Sequence, residues 1–168
     1  MPNGFTVNVH RYDPYKNFKF QIYYDGLAVM GVSKMGALKR TTEVVTYRSG
    51  GDNTFDFKSP GRTKYESITL ERGLTHDHDF ELWASRVHSH QGASNTDLAE
   101  YKKNLTVDLL NLHNQVAIRY FLFNCWVSSY TALPDLDAGQ NGVAIESLTL
   151  EIESWRRDID VTEPNEGG

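Results

Sequence analysis

One cysteine, Cys125, stands among 168 residues, so no internal disulfide is possible. Its place in the apolar run YFLFNCWV predicts a buried, inert thiol and folding in a reducing compartment. Proline is nearly as scarce, at five residues, so the long strands expected below carry few breaks along their edges. No apolar run approaches the roughly 18 residues a membrane-spanning helix needs, which excludes direct membrane insertion by that route. The opening MPNGFTVNVHRYDPYKNF lacks the basic and apolar segments of a signal peptide, so any export is expected to follow another path. Basic residues are outnumbered 17 to 22, the net charge is −5, and Lys and Arg form no stripe. Sequence-specific nucleic-acid binding is therefore not expected.

Catalytic signatures are missing as well. There is no Gly-x-Ser-x-Gly elbow, no phosphate-binding Gly-x-x-x-x-Gly-Lys and no Cys-x-x-Cys. The glycine-rich SGGDN follows a strand and precedes no helix, so it offers no helix N-terminus to a phosphate. Two histidine pairs, His76 with His78 and His88 with His90, imitate metal-ligand spacing. Residues two apart on a helix point about 200° apart, so His88 and His90 do not chelate one ion side by side. His76 and His78 lack a third ligand at diagnostic spacing. Glu151 and Glu153 share a strand face as acid/base pairs do, yet two acids on a wet face more often serve solvation. No catalytic residue, metal or cofactor is expected.

What the chain has in quantity is aromatics, at 12%, with nine Tyr, eight Phe and three Trp. That composition favours strands. From Asn17, period-two alternation places Phe18, Phe20, Ile22 and Tyr24 on one face, and Asp25-Gly26 turns the chain into LAVMGV. Further strands are expected over about 41–48, in KYESITLERG, in LTVDLLN, in the nearly all-apolar VAIRYFLFNCWVSSY, and in VAIESLTLEIESW. Phe80, Trp83 and Val87 fall at helical spacing, with Thr75 and Asp77 as caps, and a short second helix is expected near Thr96 to Lys102. The fold class is mainly β (α+β): about seven antiparallel strands in a two-layer sandwich or barrel with one helix. One domain is expected over residues 1–160, with DVTEPNEGG and the 161–168 tail disordered. Long unpaired edges predict an oligomer.

The stretch YRSGGDNTFDFKSPG, Tyr47 to Gly61, is the unusual segment. Ser49, Gly50, Gly51, Asp52 and Asn53 break strands, and Pro60 and Gly61 close the stretch, so it reads as a long loop. Phe55 and Phe57 argue against plain disorder, because disordered segments are poor in aromatics. The expectation is a loop that orders against something else. The wet strand faces, Ser67, Thr69 and Glu71 in one strand and Thr149, Glu151 and Glu153 in another, suit a channel lining or any solvated sheet.

In order along the chain, DPYKNFKFQI, TEVVTYRSGGDN, PGRTKYESITLERG, FELWASRV, CWVSSY and GVAIESLTLEIESW resemble the tail-tube proteins of contractile phage tails and phage-like contractile injection systems. The resemblance implies six-fold rings stacking into a hollow tube inside a sheath, assembled in the bacterial cytoplasm. It implies partners among copies of itself, the sheath, baseplate hub and tube initiator or terminator proteins, with cargo in the lumen. It also implies that the loop carrying Gly50, Gly51, Asp52, Asn53, Pro60 and Gly61 reaches neighbours in its ring and the next. Two departures stand out: a longer start before Asp13 and an apparent insertion at 88–103, HSHQGASNTDLAEYKK. A secreted ring protein of the type VI class that also serves as effector carrier, and a stand-alone β-sandwich binding module or small metalloenzyme using the histidines, are the alternative readings.

Overall fold

The computed structural model describes residues 19–24, 26–29, 31–48, 50–51, 54–87 and 101–164. The elements run β1 Lys19–Tyr24, β2 Leu27–Val29, β3 Val32–Met35, β4 Arg40–Tyr47, β5 Phe57–Tyr65, β6 Ile68–Gly73, α1 Asp79–Val87, β7 Lys103–Leu110, β8 Val116–Thr131, β9 Ile145–Glu151 and β10 Ser154–Arg157. The mainly β class with antiparallel pairing and one described helix is as expected, but the strands are more numerous. LAVMGV is not one strand. It breaks at Gly31, whose φ of +78° suits glycine, into β2 and β3.

Among the described residues, eight strands form one continuous sheet in the order β2-β1-β7-β8-β9-β6-β3, with β10 also on β8, while β4 and β5 pair only with each other. The sheet folds into two layers because β8, 16 residues long, belongs to both. Its first part pairs with β7 and β10, and its second part pairs with β9. The corner is Asn124. Lys103 faces Cys125 while Leu105 faces Leu122, so β8 has an extra residue there and bulges. Asn124 takes a φ of 51°, a left-handed conformation that asparagine tolerates, and its N–H donates to Asn104 Oδ1 at 3.0 Å. A strand that switches layers through a bulge is how sheets turn corners in orthogonal packings.

Alternation decides what lies between the layers. β6 and β9 pair Ile68 with Leu150 and Leu70 with Leu148, so these four side chains enter the core together. They meet Ile22, Leu105, Val107 and Leu122 from the other layer. Phe80 and Trp83 of α1 add their buried rings, and Trp83 Nε1 donates to the Tyr101 carbonyl at 3.1 Å. Asp77 caps the helix, as expected, its Oδ1 accepting the Asp79 N–H at 3.0 Å.

Three expectations fall partly outside the described residues: the second helix near 96–102, the insertion at 88–103, and the 1–160 domain with its 161–168 tail. One is corrected. VAIESLTLEIESW is not a single strand, because the chain leaves β9 at Ile152 and Glu153 before β10 resumes pairing with β8.

Candidate assembly interface

Residues 40–65 form an arm. Every residue of β4 is exposed, and among β5 residues only Ser59 and Tyr65 are half-buried. The long loop expected over 47–61 is therefore corrected: Phe57, Pro60 and Gly61 lie in β5, and only the segment between Tyr47 and Phe57 connects the strands. The register explains both strand breakers. Thr42 faces Thr63 and Val44 faces Pro60, so Glu43 stands opposite two residues, Gly61 and Arg62, in a bulge. Proline fits because, among the described residues, the ribbon has two strands and no third strand needs its missing N–H. Glycine fits because a Cβ on Gly61 would lie 3.0 Å from Val45 Cγ2 and 3.3 Å from the Glu43 carbonyl oxygen.

The arm presents apolar surface that the body does not cover. Tyr47 and Phe57 face each other across the strands and stack at 5.4 Å, while Phe55, 67% exposed, precedes β5 near the tip. Val44 and Val45 add two more exposed side chains. Arg48 and Asp56 close the turn with a 2.7 Å ion pair, and Gly51 takes a φ of +119° there. Gly50 is exposed, and Asp52 and Asn53 lie outside the described residues.

At its root the arm is held by aromatics. Tyr65 meets Trp155 edge-on at 5.9 Å, Tyr120 does the same at 5.8 Å, and the Arg40 guanidinium lies 5.7 Å from the Trp155 ring centre. Sequence reasoning missed this cluster, whose members are up to 115 positions apart, between Arg40 and Trp155. It also missed the hairpin, although Gly50-Gly51 between two aromatic-rich runs is a hairpin signal.

The wet strand faces are only partly as expected. Thr69 faces Thr149 directly, Glu71 faces Ser147, and these, with Glu151, form one half-buried polar face. Lys34 Nζ reaches Glu71 at 3.8 Å. Ser67 precedes β6, and Glu153 lies past the end of β9, where Lys102 Nζ meets it at 3.6 Å. Neither belongs to the strand face assigned to it.

On the inner face of the same strands sits a buried charge. Arg72, 1% exposed, donates through Nε to Glu146, whose other oxygen accepts from the Tyr130 hydroxyl at 2.9 Å. Arg72 also donates to Asp77 Oδ2 at 3.1 Å and to the Asp77 carbonyl at 2.8 Å, and lies 4.1 Å over the Phe80 ring. The cluster fastens the start of α1 to the β6–β9 layer. Burial, reinforced by the hydrogen bond to Glu146, pushes the Tyr130 hydroxyl up to about 12. The Asp79 N–H, with Arg72 beside it, holds the Asp77 carboxyl below its ordinary range. Burial pushes the Cys125 thiol up to about 12, which fits an inert core residue.

His76 and His78 are exposed, with His78 Nδ1 3.7 Å from Glu81 and His88 and His90 outside the described residues. Among the described residues no group of three His, Cys, Asp or Glu could hold a metal, and no helix is long and apolar enough to cross a membrane.

The fold as a whole has solved counterparts. A chain in the 6-fold symmetrised structure of the anti-feeding prophage baseplate superposes with a TM-score of 0.72 at 23% identity, over 87% of this chain and 96% of that one. A chain of the anti-feeding prophage tube-terminating cap gives 0.73 at 21%, over 92% and 98%. A chain of the PVC sheath-tube complex, an extracellular contractile injection system in the extended state, gives 0.70 at 22%, over 86% and 91%. These are likenesses of fold. No curated protein matches the chain by sequence. The family profile for the T4-like virus tail tube protein gp19 matches residues 16–156. The chain therefore belongs to the T4-like virus tail tube protein family, and its body and arm are the parts of a structural tube subunit.

Proposed function

We propose that six copies close into a ring, that rings stack into a hollow tube inside a contractile sheath, and that the arm makes the contacts between copies. The observation behind this reading is the exposure of the whole of β4, with Val44, Val45, Tyr47, Phe55 and Phe57 all uncovered. A two-stranded ribbon in isolation is marginally stable at best in water, and one with an apolar surface needs a partner. In the tube the partner is another subunit. The polar face of Thr69, Glu71, Thr149 and Glu151 is assigned to the water-filled lumen, where hydroxyls and acids keep the wall wetted for cargo.

The particle is a contractile injection system or a contractile phage tail, assembled in the bacterial cytoplasm, and residues 1–160 act as one tube domain. Sheath, baseplate hub and tube initiator or terminator proteins are the further partners, since similar folds occur in sheath-tube, baseplate and cap structures. The role is architectural rather than catalytic. Negative-stain microscopy of the purified chain, alone and with its baseplate, tests this. Six-fold rings or hollow tubes are expected; a homogeneous monomer at every concentration, with the baseplate present, contradicts it.

A further inference from the structure

An apolar groove of about 410 Å³ opens beside the arm root, lined by Phe20, Met35, Leu38, Leu109, Tyr120 and Trp155. One wall is β3, the terminal strand of the sheet, whose outer edge has no strand partner among the described residues. We propose that this groove receives Phe55 from the arm tip of a second copy of the chain, so that each arm ends at the root of the next. The proposal rests on the tube reading and names the surface that the arm meets.

Size and chemistry agree. An apolar cavity of about 150 Å³ is enough to hold a benzene ring, so the groove has room for a phenylalanine side chain and part of the chain beside it. Phe55 is the ring available for it. Tyr47 and Phe57 already stack on each other, whereas Phe55 lies beyond the strand end and is the most exposed aromatic of the arm.

Geometry excludes the chain's own groove. Leu38 stands two residues before β4, and Trp155 packs on Tyr65 at the end of β5, so the groove is at the root. The eight residues of β4 span about 26 Å, which separates tip from root. A tip and a root that are different surfaces of one subunit make a heterologous contact, which propagates from copy to copy as a stack or ring requires.

Charge does not oppose the contact. Arg48 and Lys58 balance Asp52 and Asp56 around the tip, so a tip without net charge meets a groove whose lining carries one charged residue, Lys34.

The test uses the full chain. Protein carrying S33C, on the exposed groove rim, is mixed with protein carrying T54C, next to Phe55. Assembly is followed by a short bismaleimide and mass spectrometry. Cys125 stays silent because it is fully buried. A link between residues 33 and 54 of different chains, dependent on assembly, is the expected result. Phe55→Ser should raise the concentration at which tubes form by roughly 10- to 100-fold, the loss of one buried phenyl ring, while Phe55→Leu recovers most of it. Tubes visible by microscopy without the 33–54 link, or with links only between two S33C chains, overturn the docking while the tube reading stands. Absence of rings or tubes from the wild-type chain with its baseplate overturns both.

Discussion

The body and the arm bury their apolar residues in opposite ways. In the body, Leu122, Leu148 and Leu150 are 0% exposed, and even the charged Arg72 is enclosed and paired. In the arm, Tyr47 is 53% exposed, and its ring partner is in the same ribbon. Both regions use antiparallel strands and aromatic side chains. The difference is where the second layer comes from: the body supplies its own by folding β8 around Asn124, and the arm has none among the described residues. Intrinsic stability and assembly are thereby separated along the sequence, so substitutions should sort into those that melt the subunit and those that leave it folded but unable to join others.

The largest expected effect lies in the body. Arg72→Leu leaves Glu146 buried without its cation and should cost about 3–5 kcal/mol in urea unfolding. The double change with Glu146→Leu should recover much of that. The arm should remain a ribbon in either case, since among the described residues its two strands pair with each other and not with the body's sheet.

Gly61→Val strikes the arm instead. The added side chain runs into Val45 and the Glu43 carbonyl, a strain of about 1–3 kcal/mol that should disturb tube formation while leaving the melting of the body unchanged. Co-sedimentation and thermal melting on one sample separate the two readouts.

Alkali should destabilise the body. Tyr130 and Cys125 keep their protons longer in the folded chain than the ordinary values of 10.0 and 9.0, each rising to about 12. The unfolded chain loses these protons first, so their contribution is intact below about pH 9 and lost as pH climbs toward 12. Melting temperature should fall over that window, and Tyr130→Phe should flatten the part above pH 10.

Phe57→Ser removes the ring stacked on Tyr47, worth about 0.5–1.5 kcal/mol beyond area, and should loosen the arm by a similar amount in hydrogen exchange of β4 amides. Replacing His76 and His78 with Asn should change stability by less than about 0.5 kcal/mol and bind no zinc by elemental analysis.

The sequence displays some of this architecture and conceals the rest for physical reasons. Period-two patterning in β6 and β9 is legible because one face of each strand is buried, and it marks Leu148 and Leu150 as core without any structure. The arm is illegible by the same rule. With both faces of β4 exposed, TTEVVTY has no buried side to mark, and Pro60 and Gly61 read as loop when they fit a bulge in a two-stranded ribbon. The Arg72–Glu146 pair is hidden because its partners are 74 positions apart and a charge on a strand ordinarily signals solvent. The Thr69 to Thr149 face is the reverse case, visible as a pattern but silent about whether water in a lumen or in bulk wets it.

The separation of roles is tested most directly by replacing residues 45–59 with a tight glycine turn and measuring melting and sedimentation of the same sample. Loop closure depends only slowly on length, so the shortened chain should fold with the wild-type melting temperature and sediment as a monomer under conditions where the wild type forms tubes. Full-length tubes from the shortened chain, or a body that no longer folds, would contradict the account.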